Sequence, residues 1–420
     1  MQRVVISLSL FFFVFFVYCK EKTTSLLEPE AFLQTLEKEF RNHYFFSDTI
    51  INEDYFRAVK KIDPNNQNVT NLNARDYALE LLRKNFQKDA NQSETFYKNF
   101  VYELLKTKKG RNLYITPSTI ERLKETENLS GVGIILYEES IGKFFILDVM
   151  EGSPAYLAEI RPNQYLQQIN GEDVDNFLIE DVVARIRGKP KTPLQLTIQG
   201  ISYQLIRTDL KVIPIRKTFW KLPDKTDILY LQIRFGTRGT SEELKRILFD
   251  SPTPDIIVLD LRYLSTGDIH EIFLISDIFL PKKEIMKIYT KEKNPEVFTT
   301  KEDIFHTGKI IVLLQTKSSP FSYGLAKMIQ NSPKATILGP KREIPVYIGK
   351  QIPLSPTENY GAFNFTIGYV EIPTTNEKNW IEIEDFIPIY PPSDSPTLDD
   401  PYHRKILELI KQNETRRTKK

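Results

Sequence analysis

Between Lys211 and about Tyr390 the chain alternates apolar strand-like runs with amphipathic helical ones. ILYLQI (228–233), DIIVLDL (255–261), KIIVLL (309–314) and ATIL (335–338) are continuous apolar runs. SEELKRILF (241–249), DIHEIFLISDIFL (268–280) and a segment carrying Leu325, Met328 and Ile329 repeat at helical spacing. Strands apolar on both faces need cover on both faces, and strand–helix–strand succession brings successive strands parallel. The region therefore reads as a mainly parallel sheet wrapped in helices. At 420 residues the chain exceeds one ordinary core, so further domains are expected on either side.

Upstream, residues 20–113 read as a helical region. Leu33, Leu36 and Phe40 share one face, YALELLRKNF (77–86) gives another, and DPNNQN (63–68) reads as a loop between helices. Residues 114–210 change to strands: GVGIILYEE, KFFILDVM, YLQQINGEDV with an Asn170-Gly171 hairpin turn, PLQLTIQG and YQLIRTDL. One helix, IEDVVARIRG, carries Ile179, Val182, Val183 and Ile186 as a stripe. Residues 391–420 read as a closing helix followed by a charged, frayed tail, NETRRTKK.

The N-terminus reads as an export signal over residues 1–19. MQR supplies a basic start, Val4 to Val17 is almost wholly apolar, and polar KEKTTS follows Cys19. Cys19 is the only cysteine, so disulfides play no part, and it stands where a bacterial lipoprotein would carry its lipid. The expectation is an exported protein of the bacterial cell envelope, membrane-associated as a lipoprotein, with an uncleaved apolar anchor as the alternative. Basic and acidic residues number 57 and 55 and nearly cancel, which argues against a nucleic-acid partner. The four histidines (His43, His270, His306, His403) are scattered without metal-ligand spacing, and no metal or cofactor is expected.

The order of elements, together with Gly152-Ser153-Pro154-Ala155, Ile169-Asn170-Gly171 and Ile186-Arg187-Gly188, resembles the circularly permuted PDZ domain of bacterial C-terminal processing peptidases. Glu159 and Asn163 stand where the family has glycines; Asn tolerates a positive φ, whereas Glu is the less comfortable occupant. The region after Lys211 is similar to the S41, or tail-specific, peptidase core. Tyr114-Ile115-Thr116-Pro117, Glu384 to Pro388, and Asp400-Pro401 through Ile406-Leu407 extend the likeness. The resemblance implies an α/β (α+β multidomain) chain: helical N-terminal region, permuted PDZ-like β domain at 114–210 and ClpP/crotonase-like βαβ core at 211–390. It also implies that a peptide's C-terminal carboxylate would be held at the loop Ser130-Gly131-Val132-Gly133-Ile134.

What the resemblance implies for catalysis is a serine-lysine dyad, with a neutral lysine as base. Aligned on Val312-Leu313-Leu314, the nucleophile slot is Pro320. Counting from Gly339 and back from Ile352-Pro353-Leu354, the lysine slot is Pro345. Thr266 replaces a glycine of the oxyanion turn Asp260 to Gly267, and Gly349 replaces a polar helper. Four functional positions change while the apolar frame remains, the pattern of a pseudopeptidase binding polypeptide C-termini or a protein partner through its PDZ domain. The alternatives are an active endopeptidase with a relocated pair drawn from Ser322, Ser318 and Lys341, and a purely structural envelope protein. Ser322 reads as an N-cap, and Lys317, Lys341 and Lys350 as solvent-exposed.

Overall fold

A computed structural model describes residues 26–417, apart from 47, 87, 125–129, 292, 302–307, 374–378, 384–395 and 397–398. Cys19 with its leader, His306 and the 384–388 match lie outside the described residues.

Four helices open the chain: α1 (Pro29–His43), α2 (Asn52–Ile62), α3 (Ala74–Phe86) and α4 (Ala90–Leu105). The Leu33/Leu36/Phe40 stripe of α1 is fully buried among Tyr55, Leu82, Tyr97 and Phe100. That core is shared with Tyr114, Phe363 and Phe365, so the helices are seated on a sheet rather than closed on themselves. Strand β1 (Leu113–Ile115) belongs to this sheet, since it pairs antiparallel with residues 362–364. The expected PDZ boundary at 114 therefore falls inside a strand of the other unit, and the PDZ-like unit begins beyond it.

Helix α5 (Pro117–Lys124) leads into that unit. Its strands are β2 (Ser130–Gly131), β3 (Ile134–Ser140), β4 (Lys143–Val149), then, after the short α6 (Pro154–Leu157), β5 (Tyr165–Ile169) and β6 (Glu172–Asp173). Helix α7 (Ile179–Ile186) precedes β7 (Pro193–Ile198), β8 (Ile201–Ile206) and β9 (Thr208–Asp209). The sheet order is β3-β4-β5-β7-β8, which leaves β3 at an edge. Asn170 and Gly171 both take positive φ (51° and 80°), as a two-residue hairpin requires. Glu159 (59°) and Asn163 (73°) hold the left-handed conformation of the glycines they replace.

The third unit contains β10 (Ile215–Lys221), β11 (Asp227–Ile233), β12 (Phe235–Gly236), α8 (Thr240–Asp250), β13 (Ile256–Asp260), β14 (Thr266–Gly267) and α9 (Ile269–Asp277). It continues through β15 (Glu284–Thr290), β16 (Lys293–Thr299), β17 (Lys309–Leu313), α10 (Pro320–Ile329), β18 (Ala335–Leu338), β19 (Val346–Pro353), β20 (Ala362–Glu371) and β21 (Trp380–Ile381). The main sheet runs β10-β11-β13-β17-β18-β21 and is parallel apart from the β10/β11 pair, as the alternating pattern predicts. Helices α8, α9 and α10 bury one face. Helix α11 (Pro401–Arg417) covers the other with Tyr402, Ile406 and Ile410 against Trp220, Tyr230 and Val258. It runs on into the stretch expected to be a frayed tail. A second, antiparallel sheet (β1-β20-β15-β16, with β19 on β20) is not foreseen by the strand–helix alternation and carries the helical N-terminus.

Candidate functional site

The turn between β17 and α10 is closed by its own polar groups. Gln315 N–H donates to Ser318 Oγ at 2.9 Å, Ser318 N–H returns a bond to Gln315 O at 3.0 Å, and the Gln315 amide reaches Arg262 O at 2.6 Å. Ser319, not Ser322, is the N-cap: its hydroxyl accepts from Ser322 N–H. Pro320 is the first helical residue, a position that suits its missing N–H and fixed φ, and its ring is exposed. Ser322 is fully buried, and its Oγ lies 3.2 Å from Leu264 O and 3.1 Å from Ser319 Oγ. Both candidate serines therefore serve the turn, while Lys341 lies on an exposed segment.

The other slots gather around the same helix. Phe321 places its ring beside Gly267: a Cβ there would stand 3.3 Å from Phe321 Cγ. The oxyanion turn thus faces a buried aromatic ring. Thr266 sits in β14, paired in parallel with β12, and does not take a positive φ. Gly324, one turn beyond Pro320, packs on Val346, and Pro345 is the exposed residue just before it. Gly349 lies on β19 at a register shift, next to the Asn364 amide. Gly267 and Val346, each next to one of these positions, pack on α10, whereas Gly349 lies against Asn364 of β20.

Lys317 departs from the expected solvent exposure. Its amine reaches Glu139 Oε1 at 2.7 Å and lies 3.5 Å from the centre of the Phe145 ring, both in the PDZ-like unit. Lys143 and Lys317 together hold the Glu139 carboxyl down to about 2. Beside this contact, Ile135, Phe145, Leu147 and Met150 bury an apolar face with Phe235, Leu210 and Val212. Arg234 donates to Asp148 at 2.5 Å, with both side chains buried. The PDZ-like unit is therefore docked on the core, with Lys317 of the β17–α10 turn among its contacts. No periodicity announces Lys317; its partners lie about 170 residues away in sequence.

The second candidate site lies on the opposite face of β3. Ile134 and Leu136 face α7, whose Ile179 and Val183 are likewise half-buried, so an apolar trough runs between an edge strand and a helix. At its head, Gly133 (φ 83°) admits no side chain, because a Cβ would fall 2.2 Å from that of Ser153. Val132 O and Gly133 O accept from Ala155 and Met150 at 2.9 and 2.8 Å. Among the described residues, the N–H groups of Val132 and Gly133 have no internal partner, and both residues are buried in this structure. Gly131 is held in β2 against Thr208. The far end is closed by Arg111, which donates to Glu138 on β3 at 2.6 Å and to Glu180 on α7 at 2.8 Å. Helix α7 is anchored by a buried pair, Lys98 to Asp181 at 2.5 Å, to which Thr119 adds a hydroxyl bond at 2.6 Å. Sequence reading missed Arg111, Lys98 and Asp181, because each bridges separate units.

Residues 121–199 match the family model of the PDZ domain, and residues 227–388 that of peptidase family S41. A probable CtpA-like serine protease of Staphylococcus aureus (strain MRSA252) is 25% identical over 286 residues, 66% of this chain and 57% of that protein. The carboxy-terminal processing protease CtpA of Bacillus subtilis (strain 168) is 25% identical over 232 residues, 54% of this chain and 50% of its own length. The chain thus spans just over half the length of the curated relatives it matches. Among solved structures, a photosystem II D1 C-terminal processing protease aligns with a TM-score of 0.60 over 84% of this chain and 93% of that one, at 15% identity. That is a likeness of fold.

Proposed function

We propose that this chain, which belongs to the PDZ-containing S41 peptidases, is a pseudopeptidase that binds polypeptide C-termini in its β3/α7 groove and does not cut them. The observation that carries the reading is the pair of prolines, Pro320 and Pro345, at the dyad positions. Neither side chain supplies a nucleophile or a base. Ser318 and Ser322 give their hydroxyl groups to the turn, which argues against a relocated dyad.

The groove has an unpaired strand edge, an apolar trough and, at its head, a glycine loop whose Val132 and Gly133 N–H groups bond to no described residue but are buried, so binding a carboxylate there requires the loop to open. One added strand and one side-chain pocket make a small interface, so affinity is expected around micromolar, about −8 kcal/mol. Calorimetry on residues 20–420 with an eight-residue peptide ending Ala-Ala-Val tests both halves. Binding is expected with the free C-terminus and not with its amide, and mass spectrometry is expected to recover the peptide intact. Indifference to amidation removes the carboxylate site.

Membrane attachment belongs to the same proposal. No described helix is long and apolar enough to cross a membrane, and the leader with Cys19 lies outside the described residues. A fatty-acid probe is expected to label the wild type and not Cys19→Ser; equal labelling of both favours an uncleaved anchor.

A further inference from the structure

The PDZ-like sheet ends on β8, which pairs only with β7 and lies at the opposite edge from β3. The two strands form a hairpin around Gln199-Gly200, both at positive φ (49° and 78°). Their register sets Ile198 against Ile201, Leu196 against Tyr203 and Leu194 against Leu205. A two-residue turn is flanked by a hydrogen-bonded pair, so Ile201 and every second residue after it bond inward to β7. Ser202, Gln204 and Ile206 therefore direct their N–H and C=O groups outward. Among the described residues, no backbone bond from outside the hairpin reaches any of the three, and all three are exposed.

Open edges are ordinarily guarded by charged side chains or proline, which discourage pairing with another strand. The outer strands β10 and β16 of the two other large sheets follow that rule. One carries Arg216, Lys217 and Lys221, the other Lys293, Pro295 and Glu296. Strand β8 (ISYQLI) has no charge and no proline. It exposes Ile201 (55%) and Ile206 (52%) instead, and α6 beside it leaves Leu157 73% exposed.

We propose that this edge pairs antiparallel with the same edge of a second copy of the chain, about a twofold axis at Gln204. An uncharged edge does not repel its own image and offers a foreign strand no ion pair to fix its register. Antiparallel pairing needs outward residues to stand opposite outward residues. An axis at Gln204 sets it against Gln204 of the second copy and sets Ser202 against Ile206, so every outward residue of β8 is paired. An axis at Tyr203 or Leu205 leaves Ile206 or Ser202 without a partner in β8. On the inner face Tyr203 then stands opposite Leu205 of the second copy, which continues the apolar side of the sheet. The contact is self-complementary and closes at two chains. Six residues span roughly 20 Å, so the interface is small and the dissociation constant is expected at about 10–100 µM. The edge is separate from the β3 groove, and the pairing does not depend on what that groove binds.

The test is sedimentation equilibrium of residues 20–420 over a range of about 1 to 200 µM. The wild-type mass is expected to rise from that of one chain toward that of two. Gln204→Lys and Gln204→Glu each bring like charges together on the axis and are expected to weaken association about tenfold or more. An equimolar mixture of the two variants is expected to regain it, because the charges that then meet are opposite. The Gln204 side chain is exposed and its backbone groups point away from β7, so neither change disturbs the hairpin. Thermal unfolding identifies a variant that no longer folds, in which case the other variant and the wild-type series decide. A wild type that stays a single chain throughout overturns the proposal. So does a dimer that neither variant weakens, since its interface lies elsewhere. Two weakened variants that fail to pair with each other overturn the axis at Gln204.

Discussion

Several single residues at the proposed site and in the PDZ-like unit are conformationally specific. Proline at 320 is compatible with the first turn of α10, so the helix start does not depend on which residue stands there. Glu159 is different: it sits at φ 59°, where a non-glycine residue costs about 1–2 kcal/mol. Glu159→Gly is expected to stabilise the protein by roughly 1 kcal/mol, part of the gain being offset by the greater freedom of glycine when unfolded. Chemical denaturation measures this, and a neutral or destabilising result means that the Glu159 side chain makes a compensating contact.

Among elements, α11 shows how buried polar side chains lock a helix onto the sheet. Asp400 just before it accepts from Arg262 at 3.1 Å, Tyr402 donates to Leu314 O at 2.6 Å, and the His403 ring packs edge-on to Trp220. Burial pushes the His403 imidazole below its usual range, with Asp400 opposing. A histidine depressed in the folded state stabilises it above the unfolded value near 6.5, and that contribution is lost as pH falls through the folded value. The melting temperature of the wild type is therefore expected to drop more steeply than that of His403→Gln as pH falls from about 7 to 5. Parallel curves contradict a buried neutral His403.

The elements were unequally legible from sequence. The parallel strands β11, β13, β17 and β18 stand out because double burial makes them continuously apolar, and the Asn170-Gly171 hairpin because its turn needs positive φ. The antiparallel sheet built on β20 was not seen, since its partners come from residues 113–115, 284–299 and 346–353, and its packing on the helical region is non-local. Ser319 as the cap in place of Ser322, and Lys317 as an interdomain contact, were not legible, because a hydroxyl's or amine's partner is set by folding and not by spacing.

At the scale of the whole molecule, the PDZ-like unit is held from two sides. Lys98–Asp181 and Arg111 tie it to the N-terminal helices and their sheet, while Lys317–Glu139 and Arg234–Asp148 tie it to the core. Of the second set, Lys317 comes from the β17–α10 turn and Arg234 from the end of β11, so the unit rests on two separate parts of the core. The proposed peptide groove, on the other side of β3, stays clear of that contact.

The most direct measurement is degradation of casein, an unstructured substrate, by residues 20–420, run beside Ser318→Ala and Ser322→Ala. Removing nucleophile and base together leaves only substrate positioning to act on the peptide bond. No fragment above background is expected from any of the three proteins. Sustained turnover by the wild type that either alanine variant abolishes would contradict the pseudopeptidase reading and identify the serine that attacks.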